Sequence, residues 1–323
     1  MTPTTPTQVH SGRSFSPRVV PFVFVVGALC QYLGAAIGVF LFDTTSPAAV
    51  AWLRAAGAAV VLLAWRRPWR TRWTLRSVVV AGGFGVVTVG MNLAFYEAIA
   101  RIPLGTAVAI EFLGPVSVAA LGSRRLRDVV ALLLVVIGVA SVAGARLDVG
   151  LAGVGFALLA GGLWAGYVLL GKSVADTGGG LDSLAVGMVV ASLVLAPLAL
   201  TPQLLTDATV FLSPLTWLLG LGVGILASVI PYALDQVVLR TVGRARFALL
   251  LALLPTTATV VGFVVLAQVP SVAEAVGIVC VVIAVALGGV ERRPRPAAPV
   301  DTSTVPDGVE AIEAEQSSPE KRV

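Results

Sequence analysis

Ten apolar stretches of about twenty residues follow one another along this chain, and polar residues collect in the short segments between them. A helix of about twenty residues crosses the ~30 Å hydrocarbon core of a bilayer, and it satisfies its own backbone hydrogen bonds there. Only 12% of the residues are charged, whereas a soluble domain needs roughly 25%. We therefore predict an all-α membrane protein with transmembrane helices at residues 19–42, 47–65, 77–99, 103–122, 127–145, 151–171, 183–201, 214–236, 246–267 and 271–290.

Arginine and lysine residues are distributed unequally between the two sides of this predicted bundle. Seventeen lie at span ends or in segments on one side, and only Arg101 and Arg146 lie on the other. Because basic loops are retained in the cytoplasm, we expect a multi-pass inner (plasma) membrane protein with both termini cytoplasmic. The net charge of +5 follows from this topology, so it gives no support for a nucleic-acid partner.

The chain divides near Asp148 into two halves of five predicted spans each. When the second half is shifted by 140 residues, Pro115 aligns with Pro255 and Gly122 with Gly262. A five-helix unit that is repeated once must be inverted the second time, and inverted repeats are common in secondary transporters. The predicted organisation is a cytoplasmic tail at 1–18, a first repeat at 19–148, an inverted second repeat at 149–291, and a disordered cytoplasmic tail at 292–323.

Residues that usually bind metals or carry out nucleophilic catalysis are scarce. The only histidine, His10, lies in the polar N-terminal tail, and Cys30 and Cys280 fall inside spans, where small packing residues are expected. We therefore predict no metal site, no cofactor and no enzyme activity. A non-transporting membrane scaffold or sensor is an alternative of another class, which the inverted repeat and the intramembrane charges disfavour.

Two ionisable residues lie deep within predicted spans, where a charge costs about 2.5–3.5 kcal/mol on insertion scales. Glu111 is eight residues into the fourth span, and Pro115 follows one turn later on the same face. Proline frees the carbonyl of Glu111, so carboxyl and carbonyl together suit a proton or a substrate ammonium. Arg54 is equally deep in the second span and is the second candidate coupling residue. A purely structural pairing of Glu111 with Arg54 is the alternative.

Aromatic and amide side chains provide the candidate lining of a substrate cavity. Asn92 and Tyr96 are one turn apart in the third span, Trp164 and Tyr167 lie in the sixth, and Tyr232 lies in the eighth. An apolar cavity with a few polar groups suits a small organic solute. The alternatives are interfacial anchoring or ordinary packing of these rings.

Several of these residues belong to longer motifs, namely GMNLAFY at 90–96, PLG at 103–105, AVAIEFLGP at 107–115, SRR at 123–125, WAGY at 164–167 and PYAL at 231–234. Over roughly residues 20–290 the chain resembles the threonine/homoserine exporters of the EamA branch of the drug/metabolite transporter superfamily. This resemblance implies ten helices in two repeats and proton-coupled export of amino acids or related metabolites.

Carried over to matching positions, the resemblance marks Asn92, Glu111, Pro115, Trp164 and Tyr232 as cavity residues. The chain departs from the family pattern at Leu254 and Gln268, where members often carry glutamate. Aromatic amino acids, nucleobases and cationic drugs are alternative solutes.

Overall fold

The computed structural model describes residues 19–121, 126–144, 151–176, 180–235, 238, 241 and 250–288. The two predicted tails, 1–18 and 292–323, lie outside the described residues. The described part of the chain is helical and contains no strand. Its helices are α1 Val20–Phe40, α2 Pro47–Arg66, α3 Leu75–Ile99, α4 Leu104–Glu111, α5 Leu113–Leu121, α6 Leu126–Gly144, α7 Leu151–Asp176, α8 Gly180–Thr206, α9 Pro214–Gly224, α10 Leu253–Leu266 and α11 Val272–Gly288.

Six helical segments of the described chain are long and apolar enough to cross a membrane, and α9 belongs to one of them because its helix continues to Asp235. Four shorter apolar helical segments lie at Leu104–Val118, Val129–Ser141, Leu253–Leu266 and Val272–Leu287. Large apolar side chains such as Leu193, Leu198 and Phe263 are exposed on the outside of the bundle. An apolar outer surface of this kind suits hydrocarbon as the surrounding solvent.

Helix ends follow the local sequence. Ser46 caps α2 by accepting a hydrogen bond from the Ala49 N–H at 3.4 Å, and Pro47 occupies the first helical position, where no donor is needed. Thr74 and Ser77 form a reciprocal capping box at the start of α3. These caps place the beginnings of α2 and α3 within a few residues of the predicted span ends.

The predicted fourth span is interrupted, which the sequence-based boundaries did not anticipate. The helical pattern breaks at Phe112, between α4 and α5, three residues before Pro115. Proline cannot donate to the carbonyl one turn earlier and crowds it, so the helix is divided there. The same break occurs at Ala252, three residues before Pro255. The two prolines that align in the sequence therefore produce the same local structure.

Small residues bring the helices into close contact. A Cβ atom on Gly34 of α1 would lie 2.9 Å from the backbone nitrogen of Ala227, and one on Gly224 would lie 2.7 Å from the carbonyl oxygen of Arg54. Gly85 and Gly187 place α3 and α8 in backbone contact in the same way. Such packing is typical of membrane helices, which associate through close fit. It surrounds a cavity that is lined by residues of α1, α2, α3, α4, α7 and α10, and of the helical segment that continues from α9 to Asp235.

Candidate substrate cavity

A cavity of about 300 Å³ lies among these helices. Six of the eight side chains singled out from the sequence line it: Arg54, Asn92, Glu111, Trp164, Tyr167 and Tyr232. The cavity volume lies at the lower end of the range for small-molecule sites, which combine apolar walls with a few polar groups. The structure therefore brings together residues from five of the predicted spans.

The other two candidates, Tyr96 and Pro115, are not among the lining residues. Tyr96 is fully buried behind the wall, where its ring packs against Gly38 and makes an edge contact with Phe42 at 6.1 Å between ring centroids. Pro115 lies beyond the helix break, and its effect on the cavity is through the backbone around Glu111.

The aromatic walls are held by ring contacts. Trp164 meets Phe112 in an edge-to-face arrangement with 4.8 Å between centroids, and Tyr167 lies 4.7 Å from Phe84. Pairs of this geometry add about 0.5–1.5 kcal/mol to the burial of their surface. Trp164 is thereby fixed against the helix break at Phe112 and Tyr167 against α3, so the width of the cavity is set by packed rings.

Glu111 is 8% exposed and lines the cavity. Among the described residues, no side chain or backbone donor makes a hydrogen bond to its carboxyl group. Nor does any nitrogen of Arg54 come within 4.0 Å of a Glu111 oxygen, so the direct ion pair considered from the sequence is not formed. A carboxyl group in this position is available to a solute or a proton.

Arg54 faces the protein interior and is only 4% exposed, as the cost of a lipid-facing charge predicts. Its Nε atom donates to the Ser228 hydroxyl at 3.0 Å, and one terminal nitrogen donates to the Ala227 carbonyl at 2.7 Å. Both acceptors belong to a π-helical turn, Ile225–Val229, that interrupts the helix after α9. π turns within helices frequently occur at functional sites.

Several further residues line the cavity that sequence reasoning did not select. Tyr32 and Gln31 come from α1, and their polar groups in the middle of an apolar span were a usable signal. Asp235, at the end of the predicted eighth span, also lines the cavity. Leu251 and Leu254 also line the cavity; both are apolar, and only Leu254 stood out in the sequence, as a departure from the family pattern. Leu251 is the residue that aligns with Glu111 at the 140-residue shift, so only one half supplies an acid at this position.

Comparison with known proteins gives the cavity a family context. Residues 151–288 match the EamA-like transporter family. Over 268 residues the chain is 32% identical to the threonine/homoserine exporter RhtA of Salmonella typhimurium, covering 81% of this chain and 89% of that protein. Over 256 residues it is 33% identical to the threonine/homoserine exporter RhtA of Escherichia coli, and the match covers 78% of this chain and 85% of that protein.

A solved crystal structure is similar in fold. It superposes with a TM-score of 0.52 at 19% sequence identity, and the match covers 83% of this chain and 94% of the other. At this identity the similarity concerns the fold alone.

Proposed function

The chain belongs to the EamA-like transporter family, and we propose that it is a secondary transporter that exports small amino acids of the threonine and homoserine kind across the inner membrane. The observation that carries this proposal is the cavity itself, where the unpartnered Glu111 carboxyl faces a volume of about 300 Å³ with aromatic walls. A carboxylate and a guanidinium in one cavity match the two charges of an amino acid.

Two inverted five-helix repeats, 19–148 and 149–291, forming ten spans, are the architecture we propose for this transporter. Helix contacts support it, because exchanging the two repeats converts one observed contact into another. The second span (α2) packs on the eighth (α9). The counterpart of this contact in the exchanged repeats is the seventh span (α8) on the third (α3), which is also observed. Likewise α1 packs on α10 while α7 packs on α4 and α5. The matching helix breaks at Phe112 and Ala252 support the same relation.

Alternating access between the two sides is supported by hydrogen bonds that join the halves at one end of the bundle. The Ser46 N–H donates to Gln203 at 2.6 Å, the Leu104 N–H to Gln268 at 2.9 Å, and the Thr106 hydroxyl to Glu274 at 2.9 Å. We propose that this end is the outer side, closed in the present conformation. These three hydrogen bonds must then break for outward release.

Cytoplasmic termini are part of the proposal, and the basic loops between the other helix ends support them. Fusing alkaline phosphatase or a fluorescent protein to Val323 tests this orientation. We expect fluorescence from the cytoplasm and no phosphatase activity. Phosphatase activity at that terminus would reverse the assignment of the two sides.

Proton coupling through Glu111 completes the mechanism. Removal from water favours the neutral form of a carboxyl group, so a buried Glu111 suits exchange between a proton and the ammonium of a substrate. A proton entering from outside displaces the ammonium, and a new substrate on the cytoplasmic side displaces the proton. No described carboxyl in the second half aligns with Glu111, because that position is Leu251.

Counterflow in proteoliposomes tests the function directly. Vesicles loaded with unlabelled threonine should accumulate external labelled threonine or homoserine when they contain the protein, and protein-free vesicles should not. Tryptophan, uracil and a quaternary ammonium dye are tested in parallel. Accumulation of one of those solutes alone would replace the proposed substrate class. Absence of counterflow for every solute would support a non-transporting membrane protein.

A further inference from the structure

Arg54 is oriented from several sides by the surrounding helices. Its hydrogen bonds to Ser228 and Ala227 attach it to the π turn, and its Cζ atom lies 5.7 Å from the centroid of the Tyr96 ring. A cation over an aromatic face is attracted by the ring. The guanidinium is therefore pre-organised, and little side-chain freedom remains to be lost when a ligand binds.

Only part of the donor capacity of Arg54 is used by these contacts. A guanidinium has five N–H groups, and two of them are donated to the π turn. The Tyr96 side chain interacts with the guanidinium as well, and these contacts still leave part of its donor capacity to the cavity that Arg54 lines. Its remaining N–H groups are thus available to a ligand in that cavity.

Asn92 adds a second unsatisfied polar group to the same wall. It is 3% exposed, lines the cavity, and its Nδ2 atom has no hydrogen-bond partner among the described residues. Asn92 lies one turn before Tyr96 on α3, a rise of about 6 Å, and Tyr96 contacts Arg54. A buried donor without a partner costs about 1–3 kcal/mol, so this wall is incomplete without a ligand that accepts hydrogen bonds.

Glu111 provides the opposite charge and is kept apart from Arg54. No Arg54 nitrogen lies within 4.0 Å of its oxygens, although both side chains line one cavity. When Glu111 is ionised, the two buried opposite charges do not touch, and the cost of their desolvation is left uncompensated. A zwitterion between them would compensate both, with its carboxylate at Arg54 and its ammonium at Glu111.

We infer that Arg54, supported by Asn92, is the carboxylate-recognising residue of the cavity and restricts the substrate to compounds with a free carboxylate. This inference rests on the proposed function and adds the direction in which the amino acid is held. Because two of the guanidinium hydrogen bonds end on the π turn, a bound carboxylate is also connected to the helix that continues to Tyr232 and Asp235. Amides and esters of the same amino acids lack the charge that Arg54 binds.

Binding measurements on the purified full-length protein test the inference. The dissociation constants of L-threonine and L-threoninamide are measured by isothermal titration calorimetry for the wild type, Arg54→Gln and Arg66→Gln. Arg66 is the matched control, because it lies on the same helix and forms a surface ion pair with Asp182 at 2.8 Å. We expect the wild type and Arg66→Gln to prefer the acid by at least about tenfold, and Arg54→Gln to lose this preference.

If Arg54→Gln does not fold, the ratio of the wild-type dissociation constants for L-threonine and L-threoninamide decides the inference. Equal wild-type affinity for threonine and threoninamide would overturn the role of Arg54 and leave the proposed function standing. A folded Arg54→Gln variant that keeps the wild-type preference would do the same. Absence of binding by every amino acid tested would overturn the proposed function and this inference with it.

Discussion

Gln268 accepts a hydrogen bond from the backbone N–H of Leu104 at 2.9 Å, so a side chain after α10 caps the first turn of α4. The first N–H groups of a helix have no partner within it, and here one of them is satisfied from the other half of the chain. The sequence identified Gln268 as a lost acid of the family pattern. The structure assigns this oxygen a role that glutamine and glutamate both fulfil.

Replacement of Gln268 should therefore depend on whether an acceptor remains. We expect Gln268→Leu to lower the free energy of unfolding by about 0.5–2 kcal/mol, as the loss of a helix cap does. Gln268→Glu keeps the oxygen and should unfold like the wild type. Thermal unfolding in detergent measures both, and equal midpoints for the leucine and glutamate variants would contradict the capping role.

A second stability prediction concerns Ala267, which has φ 53° at the end of α10. Glycine adopts this left-handed conformation without the steric cost that a Cβ atom imposes. We expect Ala267→Gly to raise the free energy of unfolding by about 1 kcal/mol. The control is Ala258→Gly inside the same helix, which should destabilise the protein. An unchanged or lowered unfolding midpoint for Ala267→Gly would show that no strain is relieved.

Helix contact at Gly85 gives a third prediction. A Cβ atom at Gly85 would overlap the carbonyl group of Gly187, whereas one at Gly83, on the same helix, meets no atom within 4 Å. Overpacking costs about 1–3 kcal/mol, so Gly85→Ala should lower the unfolding midpoint and the yield of monodisperse protein. Gly83→Ala should leave the yield unchanged and should keep or raise the midpoint, because alanine favours the helix. Equal behaviour of the two variants would mean that α3 and α8 are not in backbone contact.

The sequence was informative about the cavity wherever a residue was costly in a membrane. Arg54, Asn92 and Glu111 stood out because polar groups within apolar spans are rare and must face protein. All three line the cavity. Trp164 and Tyr167 also do so; they were selected as aromatic side chains suited to a cavity wall, and the family resemblance marks Trp164 but not Tyr167.

The remaining features depend on contacts between distant parts of the chain. Leu251 looks like any lipid-facing leucine, and only the packing of α10 against α1 and α4 brings this part of the chain to the cavity. Tyr96 is costly to bury and was selected for the lining, yet Gly38 leaves room for its ring behind the wall. The π turn at Ile225–Val229 has no sequence signature, because its register is set by packing against α1 and α2.

Transport driven by a pH gradient in proteoliposomes, compared between the wild type and Glu111→Gln, tests the central claim most directly. The amide keeps the shape of the side chain, so the variant should retain the wild-type unfolding midpoint. Because the amide cannot take up and release a proton, the rate of gradient-driven threonine transport should fall by at least about tenfold. Glu97→Gln is the control, since Glu97 forms an exposed pair with Arg101 at 2.6 Å and such pairs contribute little. It should transport like the wild type. Wild-type, gradient-dependent transport by Glu111→Gln would contradict the account and place coupling elsewhere in the chain.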